Sequence, residues 1–189
     1  MTEYLIGVVA AALVNDIALQ RASGVESPDT LARLKRASCM GGVTILVTLA
    51  ASVLSYALYY GVLSPLGLQA AWIPLFTLTA ALCAALCGQM ARNGAGYLAD
   101  LMDAQWPLLT LNAALLGVTL HGVWQGDSFA GTVLTALLAS AIFAATLVAL
   151  TAIEARLDTD ALPQSVRGFP ALLLIAALVS MALTAFAGL

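Results

Sequence analysis

Leu13-Val14-Asn15-Asp16-Ile17-Ala18-Leu19-Gln20 closes an apolar run that begins at Tyr4. It sets an amide and a carboxylate side by side where a membrane span should still be apolar. A charged side chain at the centre of a bilayer costs about 2.5–3.5 kcal/mol on insertion scales, so such residues face a protein interior or a wet cavity. A weaker echo stands half a chain later, in Leu109-Thr110-Leu111-Asn112-Ala113-Ala114-Leu115-Leu116-Gly117. Paired polar breaks, one in each half of a hydrophobic chain, predict a membrane protein built from repeats around a site near the midplane.

The composition carries the same message. Of 189 residues, 62% are hydrophobic and only 9% charged, against about 25% charged in soluble domains, and the mean hydropathy is +0.99. A water-soluble globule is excluded, and the class is an all-α integral membrane protein in contact with a lipid bilayer. The length holds about six spans of ~20 residues with short loops, leaving nothing over for a soluble catalytic domain. Net charge is −3, with no basic surface of the kind nucleic acid requires. Cys39, Cys83 and Cys87 lie in or beside apolar runs and form no disulfide framework. Met1-Thr2-Glu3 lacks a basic leader, and Asn15-Asp16 would spoil a signal-peptide core, so the first apolar run is expected to be retained.

Continuous apolar character places the spans at Tyr4–Leu19, Ala37–Val62, Ala71–Met90, Trp106–Val123, Phe129–Ile153 and Phe169–Leu189. The first loop, Arg21–Arg36, has turn chemistry at Ser27-Pro28-Asp29, and a short helix from Thr30 could lead into span two. The second, Leu63–Ala70, holds Ser64-Pro65-Leu66-Gly67 and no charge. The fourth, Trp124-Gln125-Gly126-Asp127-Ser128, reads as a tight turn. All seven basic residues, Arg21, Arg33, Lys35, Arg36, Arg92, Arg156 and Arg167, fall in loops one, three and five. By the positive-inside rule those loops are cytoplasmic and both termini lie outside. An odd number of spans per half forces the halves into opposite orientations. The expected fold is therefore one membrane domain of two inverted three-helix repeats, residues 1–92 and 93–189, with helices one and four broken. Spans two and five are rich in small residues (Gly41, Gly42, Ala50, Ala51, Ser52; Gly131, Ala136, Ala139, Ser140, Ala144, Ala145), which lets membrane helices approach closely.

An ordered series of short matches along the whole chain carries a family resemblance. It runs from Met1-Thr2-Glu3-Tyr4-Leu5 and Leu13-Val14-Asn15 through Met40-Gly41-Gly42, Thr48-Leu49-Ala50 with Ser52, and Tyr97. It continues with Pro107-Leu108, Asn112 and Leu116-Gly117-Val118, then Ala152-Ile153, Arg156-Leu157, Arg167-Gly168 and Phe186-Ala187-Gly188-Leu189. In these the chain resembles the Rnf/Nqr family of membrane subunits, and within it the A subunit of Rnf electron-transport complexes, a relative of the D and E subunits of Nqr. The resemblance implies a multi-pass component of the bacterial inner membrane with both termini periplasmic. It implies a complex that moves electrons between ferredoxin and NAD and couples the transfer to Na⁺ or H⁺ translocation. The implied partners are a pseudo-symmetric E-like subunit, together with D-, G-, C- and B-like ones. It further implies an intramembrane iron–sulfur cluster shared between the A and E subunits, held by cysteines that follow the two broken helices.

This chain departs from the family at those cysteines. Val25-Glu26-Ser27 stands where the family has Leu-Cys-Pro, and Asn112-Ala113 where it has Asn-Cys. Soft thiolates hold such clusters; alanine offers no ligand, and the single carboxylate of Glu26 does not replace two thiolates. The chain is thus expected to supply no cluster ligand, catalytic residue or metal site of its own. Cys83 and Cys87, four apart on one helical face, and Cys39 beside Met40-Gly41-Gly42 read as packing residues.

Asn15, Asp16 and Asn112 are the candidates for an ion path at the repeat interface. The other reading of Asp16 is structural, near a membrane surface and paired with Arg21 or another donor. His121, Trp72, Trp106 and the tyrosines Tyr56, Tyr59 and Tyr60 sit at expected span ends, as interfacial anchors do. Two functions fit: a divergent component of an ion-translocating oxidoreductase complex, similar to the Rnf A subunit, or a non-redox transporter or accessory subunit on the same fold.

Overall fold

Thr30 opens a run of good helix formers (Leu31, Ala32, Arg33, Leu34, Lys35, Arg36) that flows without a breaker into the apolar stretch beyond. In the computed structural model, which describes residues 30–67, 71–94, 117–118, 121, 125–156, 163 and 169–187, this whole segment is helix. Helix α1 is Thr30–Leu58, a π-helical turn follows at Tyr59–Leu63, and a last piece, α2, is Ser64–Leu66. Helix α3 is Trp72–Gly94, α4 Phe129–Arg156 and α5 Phe169–Ala187. All of these elements are helical, as hydrocarbon demands, since a helix satisfies its backbone polar groups within one segment. Three segments, Leu31–Leu66, Trp72–Met90 and Phe129–Arg156, are long and apolar enough to cross a membrane; Leu173–Ala182 is a shorter apolar helix. The first expected span, most of the fourth and most of loops one, three and five lie outside the described residues.

The boundaries differ from the sequence reading in two instructive places. Span two begins at Thr30 rather than Ala37, because the basic residues of the first loop are themselves helix formers. Ser64-Pro65-Leu66, expected in a loop, continues the helix. Proline lacks an N–H and its ring clashes with the carbonyl one turn back. The wider π turn before it, in which Ser64 N–H donates to Tyr59 O, shifts the backbone off the register in which the ring would clash. The rod stops at Gly67, whose φ of 67° is the left-handed conformation glycine adopts without strain.

The tight turn before α4 is as read: Gly126 has φ 65°, and Gln125 N–H donates to His121 O at 3.0 Å. Ser128 then caps α4. Its carbonyl accepts from Thr132 N–H at 2.9 Å, and its Oγ accepts from Gly131 N–H at 3.3 Å, which meets a donor that the first turn leaves free.

Helices α1 and α4 run antiparallel in close contact. Arg33 Nη1 lies 3.6 Å from Glu154 Oε1 at one end, and the Tyr56 and Phe129 rings meet edge-on at 5.4 Å near the other. Between them, a Cβ on Gly41 would fall 2.8 Å from Ala144 Cβ and 3.2 Å from its Cα. Only a residue without a side chain fits there. Around this crossing Ala37, Met40, Val47 and Ala51 of α1 pack with Ala80, Cys83 and Ala84 of α3 and Phe143 and Leu147 of α4. Leu150 of α4 joins Ile175 and Ala176 of α5 in a smaller cluster. The interior is mostly small or hydroxylated, while Leu46, Leu78, Leu82, Leu134, Leu138 and Leu178 point outward. That inside-out distribution suits a lipid environment, where tight packing replaces the hydrophobic effect between helices.

Overpacking a close helix contact costs about 1–3 kcal/mol. Gly41→Val should therefore lower stability by about that amount in a detergent–SDS unfolding titration. Gly42→Val should change little, because nothing lies within 4 Å of a Cβ at Gly42. Ala144→Gly should recover part of the loss in a Gly41→Ala background. Removing the half-exposed Arg33–Glu154 pair should matter less, by under about 1 kcal/mol.

Candidate functional site

A buried line of hydroxyl groups runs along the α1–α4 interface. Thr44, Thr48, Ser52 and Ser55 lie on one face of α1; Thr132, Thr135, Ser140 and Thr146 belong to α4; all are buried. Short hydroxylated side chains allow the close approach set by Gly41 and Ala144, and a membrane helix accepts them because the hydroxyl can bond the carbonyl one turn back. Thr44 donates to Met40 O at 2.8 Å, Thr48 to Thr44 O at 2.7 Å, Ser140 to Ala136 O at 2.6 Å and Thr146 to Ile142 O at 2.7 Å. Ser52, Ser55 and Thr132 break the pattern: their hydroxyl oxygens are buried and have no hydrogen-bond partner.

These three gather at one end of the helix pair. Gly41 faces Ala144 and Tyr56 faces Phe129, so equal lengths of α1 and α4 run between the two contacts. In that register Thr132 falls between the levels of Ser52 and Ser55. His121, expected as an interfacial anchor, is buried in the protein at this same end, at 2% exposure. Asp127 stands at the turn before α4, and its Oδ2 is also buried without a hydrogen-bond partner.

Aromatic rings cover the end. Tyr56 touches Tyr60 at 4.5 Å as well as Phe129, Tyr59 meets Tyr60 at 5.1 Å, and Phe76 links Tyr59 at 6.4 Å to Trp72 at 6.2 Å. Rings gathered at helix ends are what an aromatic belt would supply, and the sequence placed Tyr56, Tyr59, Tyr60 and Trp72 there. It read Ser52 only as a small packing residue and Asp127 only as part of a turn, and it did not single out Ser55 or Thr132. The recurrence of Thr44, Thr48, Ser52 and Ser55 at helical spacing was the available signal.

The ion-path candidates Asn15, Asp16 and Asn112, and Glu26 and Ala113 at the family's ligand positions, lie outside the described residues. Cys83 is buried in the central cluster, and Cys39 and Cys87 pack against it, which is the packing role read from the sequence. Among the described residues, no three His, Cys, Asp or Glu side chains gather as a metal site would require.

Residues 29–189 match the family described as Rnf-Nqr subunit, membrane protein. The chain belongs to the Rnf-Nqr family. Its similarity to Rnf-Nqr relatives extends over nearly the full length of both sequences. It is 33% identical over 190 residues to the A subunit of the ion-translocating oxidoreductase complex of Yersinia pseudotuberculosis, covering 100% of this chain and 98% of the relative. The protein of the same name from Edwardsiella ictaluri is 32% identical over 190 residues, with the same coverage. The A subunit of the Na⁺-translocating ferredoxin:NAD⁺ oxidoreductase complex of Acetobacterium woodii is 29% identical over 182 residues, 96% of this chain and 95% of the relative.

The packing of the cysteines in this Rnf-Nqr chain can be checked by thiol labelling. In the folded protein in detergent, Cys83 should resist maleimide while Cys39 and Cys87 react partially. All three should label fully in SDS. Rapid labelling of Cys83 in the folded state would contradict its burial.

Proposed function

We propose that this chain is the A-type membrane component of an ion-translocating oxidoreductase complex in a bacterial inner membrane. The observation that carries this reading is end-to-end similarity to proteins named as the A subunit of such complexes, on a chain whose described residues fold into closely packed apolar helices. An apolar chain of this kind is suited to holding other subunits and to shaping a path through the bilayer.

In this reading the fold is completed as two inverted three-helix repeats, residues 1–92 and 93–189, with broken helices one and four and both termini periplasmic. Asn15, Asp16 and Asn112 line the ion path at the breaks, where exposed backbone groups and polar side chains replace the hydration shell of an ion. The partners are a pseudo-symmetric E-like subunit, with further Rnf-type subunits around the pair.

The donor chemistry does not suit a share in an iron–sulfur cluster. Glu26 and Ala113 supply no thiolate, and the cysteines that the chain does carry are committed to the helix core. The same loss is the specific observation that favours the second reading, a non-redox transporter or accessory subunit on this fold.

Co-purification decides between the two. Affinity-tagged chain extracted in mild detergent should bring down flavin- and cluster-bearing subunits; isolation alone or with a thiol-free homologue would favour the second reading. In the intact complex, Cys39→Ser, Cys83→Ser and Cys87→Ser together should leave the iron content and the EPR cluster signals unchanged. Loss of a cluster signal would show that these thiols are ligands after all. Asp16→Asn should reduce ion transport per electron transferred, and unaltered coupling would make Asp16 structural.

A further inference from the structure

Charge is divided between the two ends of the α1–α4 pair. Arg33, Lys35 and Arg36 stand in the first two turns of α1 and Arg156 in the last turn of α4. The 3.6 Å pair of Arg33 with Glu154 puts all four at one end. Among the described residues the acids are Glu154, committed to that pair, and Asp127, in the turn at the opposite end of α4. Arg36 and Arg156 are therefore left without an acid among the described side chains.

Arg36 is the informative one. It is half-buried, and its Nε is shielded from water and has no hydrogen-bond partner. A buried donor on a charged group is costly to leave unmet. Nε–H and a neighbouring Nη–H form the fork by which a guanidinium takes two oxygens of one phosphate. Farther along α1, Cys39, Val43 and Ala50 follow Arg36 at three, seven and fourteen residues, on the same side of the helix. Each is only partly buried and packs one flank against the central cluster, which leaves the other flank open. The strip begins about 4.5 Å from Arg36 along the helix axis. A cation followed by an open apolar strip matches a headgroup phosphate followed by an acyl chain, and basic sites beside membrane helices take anionic headgroups.

We propose that Arg36 and the strip of Cys39, Val43 and Ala50 bind an anionic phospholipid. Its phosphate sits on the guanidinium fork and one acyl chain lies along the strip. Arg33, held by Glu154, and Arg156 add to the local positive field. That field selects a lipid of net negative charge, such as phosphatidylglycerol, over phosphatidylcholine, whose choline group meets the same cations. A free phosphate satisfies the fork but leaves the strip uncovered. The site goes beyond the complex proposed above and does not depend on it.

Thermal unfolding of the full-length chain in a neutral detergent, with phosphatidylglycerol or phosphatidylcholine of the same acyl chains added, tests this. Phosphatidylglycerol should raise the melting temperature saturably, and phosphatidylcholine should not. Arg36→Lys keeps the charge and loses the fork, so it should raise the half-saturating phosphatidylglycerol concentration about tenfold. Lys35→Gln removes a charge one residue away and should raise it less. Equal or greater damage from Lys35→Gln is the mark of attraction by charge alone, and overturns the site. Thiol labelling of the unsubstituted chain supplies a reading that needs no variant. Phosphatidylglycerol should slow the reaction of Cys39 with N-ethylmaleimide several-fold relative to phosphatidylcholine. Equal Cys39 rates in the two lipids, or an equal rise in melting temperature, overturn the site. Inorganic phosphate at matched concentration should neither stabilise the chain nor shield Cys39. If it does both as well as the lipid, the ligand is a free anion and the proposal falls.

Discussion

The approach of α1 to α4 at Gly41 and Ala144 is the constraint on which the described structure depends. With Ala144 Cβ only 2.8 Å from where a Gly41 side chain would begin, the two backbones are as near as side chains permit. In hydrocarbon there is no water to expel between apolar helices, so such contact and its dispersion energy must supply the association. Much else follows from it. Residues along the seam must be small or hydroxylated, bulky leucines are displaced to the outside, and α3 completes the cluster with Ala80, Cys83 and Ala84.

The same closeness explains why polar groups are tolerated inside. A threonine in the seam buries its hydroxyl, and the carbonyl one turn back meets the proton at little conformational cost. This arrangement operates at Thr44 and Thr48 on α1 and at Ser140 and Thr146 on α4. It lapses at Ser52, Ser55 and Thr132, where the seam nears the turn before α4 and the buried Asp127 oxygen. The interface thus changes character along its length, from a sealed seam of closed hydrogen bonds to a polar end under aromatic rings.

The helical class and three of the spans were legible because continuous apolar runs have only one economical backbone in lipid. The small residues of spans two and five foretold their contact, and loop four was recognisable from Gln125-Gly126-Asp127. The start of span two was half legible: a helix from Thr30 was read, but as a separate short one, because Arg33, Lys35 and Arg36 serve equally as loop charges and as helix formers. The helical state of Ser64-Pro65-Leu66 was not legible, since Pro65 reads as a breaker unless a π turn precedes it. The polar end of the seam was missed for a different reason. Ser52 and Ser55 look like ordinary small residues until the register with α4 places Thr132 beside them. Asn15, Asp16 and Asn112, prominent in the sequence, fall outside the described residues, so their role stays with the proposal.

The continuous rod from Leu31 to Leu66 has 36 residues, about 54 Å at 1.5 Å per residue. A bilayer is about 30 Å thick in its hydrocarbon and about 40–45 Å with its headgroups. Such a rod cannot stand upright within the membrane. It must lean, or carry one end out into the aqueous layer. Its two ends differ in how they suit that layer: Arg33, Lys35 and Arg36 have the charge to meet anionic phosphates on one side, while Tyr59 and Tyr60 have the amphipathic rings that suit headgroups on the other. The excess length therefore acts as a depth gauge, fixing how far the seam between α1 and α4 sits from each surface.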